Sequence, residues 1–441
     1  MLRRGMDEDL ETLRAEALRL FRAGLEAVDP GVALRRYLAQ NRLPAPGPGG
    51  RRLIAAAGRA APAMADEATD ALGPCETLVV TDHGGSAPFA GARLLPAGFP
   101  EPDVAGMRAT QAVLHALGRL GPEDRAVVLL SGGAGTMLTL PVDGVSLADK
   151  AAALRLMREA GAGLREHTLV AQHLSQAKGG GLLGAAAPAR LTALILADAA
   201  GDDARMFAGG PVSPPLGSRA TARAVIELHG MWDRMPASVR AHLSRPAPPL
   251  PASGRADRIV VGSNLQAVTA IAAEGARAHA RPIAGDVEEV VHDLLAAISN
   301  ARPGEAVVFG GRVVTLRRAA LPDDESEEAE DGPGPDLRNG HAEEGRLHRL
   351  ALRFAEHARD RRLPGDWVLL VAATDGGDGN GTTAGAVVDS GLIGRIASGG
   401  VAWRDAIRRG DPQDLLRVGG ALCEIGPTGA DVGDLAIFIR R

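Results

Sequence analysis

Val127-Val128-Leu129-Leu130-Ser131-Gly132-Gly133-Ala134-Gly135-Thr136 decides how the rest of this chain reads. Four aliphatic residues, two of them β-branched, predict a strand buried on both faces, the pattern of a parallel sheet. The chain then breaks into residues with almost no side chain. Glycines let backbone N–H groups come close to a ligand, and successive amides in such a turn form a nest for an anion. Open α/β sheets bind phosphates where a strand gives way to a small-residue loop. The competing reading is a tight turn that binds nothing. Because no Gly-Lys pair occurs in the chain, the loop is not a Walker-type P-loop.

Outward from this stretch the same unit recurs. LIAAAG (53–58) is a strand and turn before an Ala-rich helix, LVVTDHGG (78–85) is a second strand and turn, and LTALILAD (191–198) is a buried strand ending in an acid. Residues 7–28 set Leu10, Leu13, Ala17, Leu20, Phe21 and Val28 mostly at helical spacing and stop at Asp29-Pro30. Short helices follow over 31–40 and 147–163. Strands alternating with helices predict an α/β fold with a Rossmann-like, doubly wound parallel sheet. The Pro-rich RPAPPLPASG (245–254) places a boundary between a domain over 1–245 and a second, smaller α/β domain over 255–441. In the latter, RIVVGSN restarts the pattern, AVVFGG and VVTLRR (306–318) read as adjoining strands, and DDESEEAED (323–331) reads as a solvated connector. The end of the chain is a glycine turn feeding a final strand.

The 441 residues are 45% hydrophobic and 23% charged, ordinary for a soluble globular protein. The 57 glycines and 2% aromatics imply cores of Ala, Val and Leu with many glycine turns. A net charge of −5 argues against nucleic acid or an anionic membrane as the main partner. Cys75 and Cys423 fit a reducing cytoplasm and are too few for a zinc site. The N-terminal sequence does not read as a signal peptide, and no apolar run approaches the ~20 residues of a membrane span. Oligomeric state stays open.

Several motifs invite a sharper reading. Gly179-Gly180-Gly181-Leu182-Leu183-Gly184 is formally a dinucleotide fingerprint, with Asp198 where a ribose-binding acid would fall. The residues before it do not read as a strand, and Pro188 leaves no room for the helix that should follow. Lys178 beside this run suits a phosphate or carboxylate contact better. Asp375-Gly-Gly-Asp378-Gly-Asn380-Gly fails as a calcium loop because Ala386 stands at the twelfth position. Asp375 at a strand end still suits a metal or a substrate hydroxyl, or else satisfies its own turn. Asp198, Asp202 and Asp203 have the same dual reading. His173 is expected to be a structural hydrogen-bonder.

The order of motifs resembles the class II glycerate 2-kinases, built from a glycerate kinase N-terminal region and a MOFRL domain. The likeness runs through ALRLFRAGLEAVDP, AAAGRAAPAMA, PAGFPEPDVAGMRA, LLSGGAGTML, HLSQAKGGGL, ADAAGDD, AGGP, VVGSN, FGGRV, EGRLHRLAL, ATDGGDGNGTTAGAVVD and IGPTGADVGDL. It implies ATP- and Mg²⁺-dependent phosphorylation of the 2-hydroxyl of D-glycerate, or of a similar small hydroxy acid, in a cleft between two α/β domains. By that resemblance Ser131, Gly132, Gly133, Gly135 and Thr136 contact phosphate and Asp198 lies near the metal. Lys178 and Arg346 supply catalytic positive charge, and Asp375 lines the nucleotide site.

The chain departs from the family pattern at identifiable positions. Arg59 stands where the family has the lysine of Gly-Lys-Ala, and Phe99 stands where it usually has histidine. Ala171-Gln172 replaces Arg-Lys, Arg312 replaces the acid of Gly-Gly-Glu, and Leu347-His348 replaces Asn-Gln. Arginine keeps the charge of lysine but cannot deprotonate to act as a base. These departures keep open a weakened or inactive relative that still binds ligand, and the Gly179–Gly184 run keeps open an oxidoreductase acting on hydroxypyruvate.

Overall fold

The structure, a computed structural model, describes residues 2–87, 89–197, 205–246, 256–314, 345–378, 383–398, 403–404 and 412–441. The chain separates into two compact units: residues 30–262, and residues 1–29 together with 263–441.

In the unit over 30–262, six parallel strands lie in the order β3-β2-β1-β4-β5-β6. They are β1 (Arg52–Ala57), β2 (Glu76–Asp82), β3 (Arg93–Ala97), β4 (Arg125–Leu130), β5 (Arg190–Leu196) and β6 (Ala256–Gly262). After its first residue each of β1, β4 and β5 is buried without interruption, as a parallel sheet covered on both faces requires. Leu53, Ala55 and Ala57 of β1 sit beside Ala126, Val128 and Leu130 of β4 and join one core with Val113 and Leu117 of the helix Val104–Leu117. Strand β3 escapes the sequence reading for a physical reason. It is short, only partly buried and contains Pro96, which an edge strand tolerates and a central one does not. A satellite core around Ala153, Met157, Val170, Ile226 and Val239 holds the helices Leu147–Glu159, Leu164–His173, Arg219–Leu228 and Ala237–Ser244 together.

The second unit is built on a mixed sheet. Its strands are β7 (Arg277–Ala278), β8 (Ile283–Asp286), β9 (Ala306–Val314), β10 (Trp367–Ala373), β11 (Gly385–Asp389), β12 (Leu422–Cys423) and β13 (Asp434–Arg440), ordered β12-β11-β10-β13-β9-β7, with β8 also paired to β9. The pairs from β12 to β9 are antiparallel, and only β7 and β8 run parallel to β9. Of the two adjoining strands expected over 306–318, residues 306–314 form one continuous strand with Gly310 and Gly311 inside it, and 315–318 lie outside the described residues. Val371, Phe438 and Phe309 face a core completed by Val291, Leu294 and Phe354 of the helices Val287–Ile298 and Arg346–Asp360. The opposite face is covered by the helices Leu2–Ala27 and Asn264–Ala273.

These units differ from the division at 245–255. The N-terminal helix packs on β10 and β13, and Arg14 Nη1 reaches Asp389 Oδ2 at 2.6 Å, so residues 1–29 belong to the second unit. Strand β6, beyond the proline-rich stretch, closes the first sheet beside β5. Tertiary burial of an amphipathic helix, rather than its place in the chain, decides which unit holds it. The acidic connector 323–331 lies outside the described residues. Among the described residues, no helix is long and apolar enough to cross a membrane.

Candidate functional site

In the sheet order β3-β2-β1-β4-β5-β6, connections diverge on either side of the β1–β4 pair and leave a crevice beyond their carboxyl ends. The loops that meet there carry Arg59 and Ser131. Gly58 follows β1 at φ +120°, and a Cβ on it would lie 2.2 Å from Ser131 Oγ, so only glycine lets the two turns touch. Arg59 N donates to Gly132 O at 2.9 Å, Ala60 N to Ser131 Oγ at 3.1 Å, and Ser131 N to Ala57 O at 3.0 Å. The Ser131 hydroxyl, expected at a phosphate, accepts from the β1 turn. Gly133 takes φ +86° and opens the one-turn helix Ala134–Met137, within which Gly135 and Thr136 lie. Among the described residues the N–H groups of Gly132 and Gly133 donate to no backbone carbonyl, which is the donor pair an anion nest needs.

Arg59 and Phe99 stand against this loop. A Cβ on Gly133 would meet Arg59 Cγ at 3.4 Å and Phe99 Cδ2 at 3.5 Å, and the guanidinium carbon of Arg59 lies 5.2 Å from the Phe99 ring centroid. Two departures from the family pattern are therefore one cation–π contact. His83, which the sequence did not single out, follows β2 and sets Nε2 2.7 Å from Asp103 Oδ2. Burial works against the Asp103 carboxylate, but the Gly106 amide, His83 and the Gly98 amide hold its pKa below the usual carboxylate range.

Lys178 packs on the turn Phe207–Gly209, which abuts the loop. A Cβ on Gly135 would lie 3.2 Å from Ala208 Cα, and a Cβ on Gly209 would lie 2.6 Å from Lys178 Cδ. Gly179 N donates to Gly209 O at 3.0 Å and Gly180 N to Gly210 O at 2.8 Å. The Gly179–Gly184 run thus follows the helix Leu164–His173 and packs on this turn, with no strand before it to make a dinucleotide fingerprint. Burial lowers the Lys178 ammonium to about 8. Gln172, at the position of a family lysine, brackets backbone: Nε2 donates to Arg205 O at 2.9 Å and Gly209 O at 3.1 Å, and Oε1 accepts from Leu216 N at 2.8 Å. His173 Nε2 lies 2.9 Å from Gly217 O, the structural bond expected of it.

Asp198, Asp202 and Asp203 lie outside the described residues. Among the described residues no cluster of three or more His, Cys, Asp or Glu side chains could hold a metal ion. A separate cavity of about 500 Å³ between Met107, His115, Leu140, Asp143 and Gln176 includes none of the expected site residues.

In the second unit Arg346 sits in an inward-facing network. The Arg346 guanidinium, 6% exposed, donates from Nη2 to Asp434 Oδ1 at 2.6 Å and from Nη1 to Asp378 Oδ1 at 3.3 Å. Asp378 Oδ2 accepts from the amides of Leu347 and His348 at 2.9 and 3.0 Å and so occupies the positive end of the helix Arg346–Asp360. Burial raises the Asp434 pKa in spite of Arg346. The guanidinium to which the resemblance gives a catalytic charge is held by carboxylates of its own unit. Asp375 accepts from Gly377 N at 3.1 Å, which is its turn-forming reading. The pairing of Arg346 with Asp378 and Asp434 was hidden because its members are 32 and 88 positions apart.

Residues 16–244 match the family model described as "Domain of unknown function (DUF4147)", and residues 336–434 match the MOFRL family. The chain is 32% identical over 96% of its length to an Agrobacterium vitis protein named "Putative hydroxypyruvate reductase", 93% of which is covered. It is 29% identical to the D-glycerate 2-kinase of Thermotoga maritima, over 97% of this chain and 99% of that one. The crystal structure of a Thermotoga maritima glycerate kinase superposes with a TM-score of 0.80 at 26% identity, covering 98% of this chain and all of that one.

Proposed function

Since the chain belongs to the glycerate kinase family, with its DUF4147 and MOFRL regions, we propose that it transfers the γ-phosphoryl group of ATP to the 2-hydroxyl of D-glycerate or a similar small hydroxy acid. One observation supports this most. The turns after β1 and β4 set Arg59 beside a two-amide nest, and Lys178 packs on the turn that abuts Gly135. Phosphoryl transfer needs positioning and neutralisation of spread negative charge more than covalent chemistry from the protein. The substrate oxygen forms its bond to the γ-phosphorus as the bond to the β-phosphate oxygen breaks, and the hydroxyl proton is released. In this reading Gly132 and Gly133 N–H hold phosphate oxygens, while Lys178 and Arg59 offset their charge. Mg²⁺ arriving with ATP would neutralise the β- and γ-oxygens, with Asp198 the residue to which the sequence assigns it.

A second reading, binding with weakened turnover, is favoured by Arg59, whose guanidinium rests on Phe99 and cannot serve as a base. The test is ADP release with MgATP across a panel of hydroxy acids, beside calorimetric titration of nucleotide. Turnover with D-glycerate supports the kinase; nucleotide binding without turnover on any acid supports the second reading; neither binding nor turnover sinks both.

A further inference from the structure

Of the 49 lysines and arginines in this chain only two are lysines, Lys150 and Lys178. Everywhere else a cation is needed the chain uses arginine, even at position 59. The two lysines are 28 positions apart in sequence, yet the charge of Lys178 acts on Lys150 across the fold. Lys150 lies in the first turns of the helix Leu147–Glu159, on the same face as the fully buried Ala153 and Met157. It is 4% exposed, and among the described residues its Nζ has no hydrogen-bond partner. An isolated buried ammonium is costly and is ordinarily excluded from a core. Among the described residues nothing in the packing compensates it.

We propose that Lys150 and Lys178 together form an oxyanion site, with Lys150 as a second ammonium behind Lys178 that a carboxylate or phosphate oxygen pairs when ligand enters beside the Ser131–Thr136 loop. Three observations converge on it. Among the described residues the Lys150 Nζ has no hydrogen-bond partner, the charge acting on it is like rather than opposite, and Lys178 runs along Gly209 in the turn that abuts Gly135. Burial, and then Lys178, lower the Lys150 ammonium to about 7, and His167 on the adjoining helix is held neutral by burial, then Arg158 and Lys178, at about 4. Basic groups buried near like charge are depressed in this way, and such groups gather at functional sites. The proposal adds a residue to the kinase reading and rests on it only for which oxyanion is bound.

Two lysines make the test direct. Protein carrying ¹³Cε-lysine gives two side-chain signals, assigned with Lys150→Arg and Lys178→Arg, and is titrated separately with inorganic phosphate, D-glycerate and ADP. Both signals should move together with one of these probes and a common dissociation constant; the probe that moves them separates a carboxylate source from a phosphate one. Lys150→Met should weaken that probe by about ten- to a hundredfold, the weight of a charge-assisted hydrogen bond, while leaving the melting temperature equal or higher because an uncompensated cation is gone. A Lys150 signal unmoved by every probe, or a Lys150→Met protein that melts lower and binds as before, would overturn the proposal and make Lys150 a packing residue. Turnover with an unchanged anion affinity in Lys150→Met refutes this site alone; anion binding through Lys150 without turnover refutes the kinase reading alone.

Discussion

Replacing Arg346 by methionine separates a structural cation from a catalytic one. The guanidinium is 6% exposed, and its partners Asp378 and Asp434 are 0% and 1% exposed in their side chains. Methionine fills much of the space but leaves two buried carboxylates facing each other without a cation. Breaking a buried pair from one side costs about 3–5 kcal/mol. For a unit of this size each kcal/mol moves the melting temperature by roughly 2–4 °C, so the second unit should melt roughly 6–20 °C lower. The pH dependence has a definite sign. Burial already raises the Asp434 pKa, and losing Arg346 raises it further. A carboxyl whose folded pKa exceeds its unfolded value binds more protons when folded, so stability falls as pH rises through that window. The variant's deficit should therefore shrink on mild acidification, between its raised folded value and the ordinary carboxylate value. Calorimetry of wild type and Arg346→Met at neutral and mildly acidic pH measures both quantities. A variant that melts within ~2 °C of wild type at neutral pH, or whose deficit grows on acidification, would refute the reasoning.

Further outcomes follow from the first unit. Gly58→Ala should destabilise by more than ~1 kcal/mol, since φ +120° and a contact of 2.2 Å to Ser131 Oγ leave no room for a Cβ; urea unfolding checks it. Arg59→Lys should raise glycerate-dependent turnover, and Arg59→Lys with Phe99→His should raise it further by replacing both halves of the cation–π contact; equal or slower steady-state rates would show that the pair is adapted to another substrate. Lys178→Met should lose ~10²–10³ in rate while keeping its fold, as removal of a transition-state cation does; an unchanged turnover number removes Lys178 from the site. Because Lys150 and Lys178 are lowered to about 7 and about 8 from 10.5, the folded chain binds fewer protons than the unfolded one above those values. The ligand-free protein should accordingly gain stability as pH rises from about 7 toward 10.5, read from melting temperatures in the absence of anions.

The sequence by itself determined the α/β class, the strand before Ser131 and the glycines that end it, because period and turn chemistry are local properties of the chain. It also determined the family, since the motifs recur in order whatever lies between them. Only the tertiary structure decided the unit to which residues 1–29 belong, because an amphipathic helix is indifferent to its neighbour until one is chosen. Only tertiary structure turned Ser131 toward the β1 turn, set Arg59 on Phe99, and bound Arg346 to Asp378 and Asp434. Each of those joins residues 32 to 88 positions apart, and a side chain's charge in sequence does not say whether its partner will be a ligand or another part of the protein. Lys150 shows the limit most plainly: the chain shows its charge, and only burial, with no partner for its Nζ among the described residues, makes it a candidate for binding.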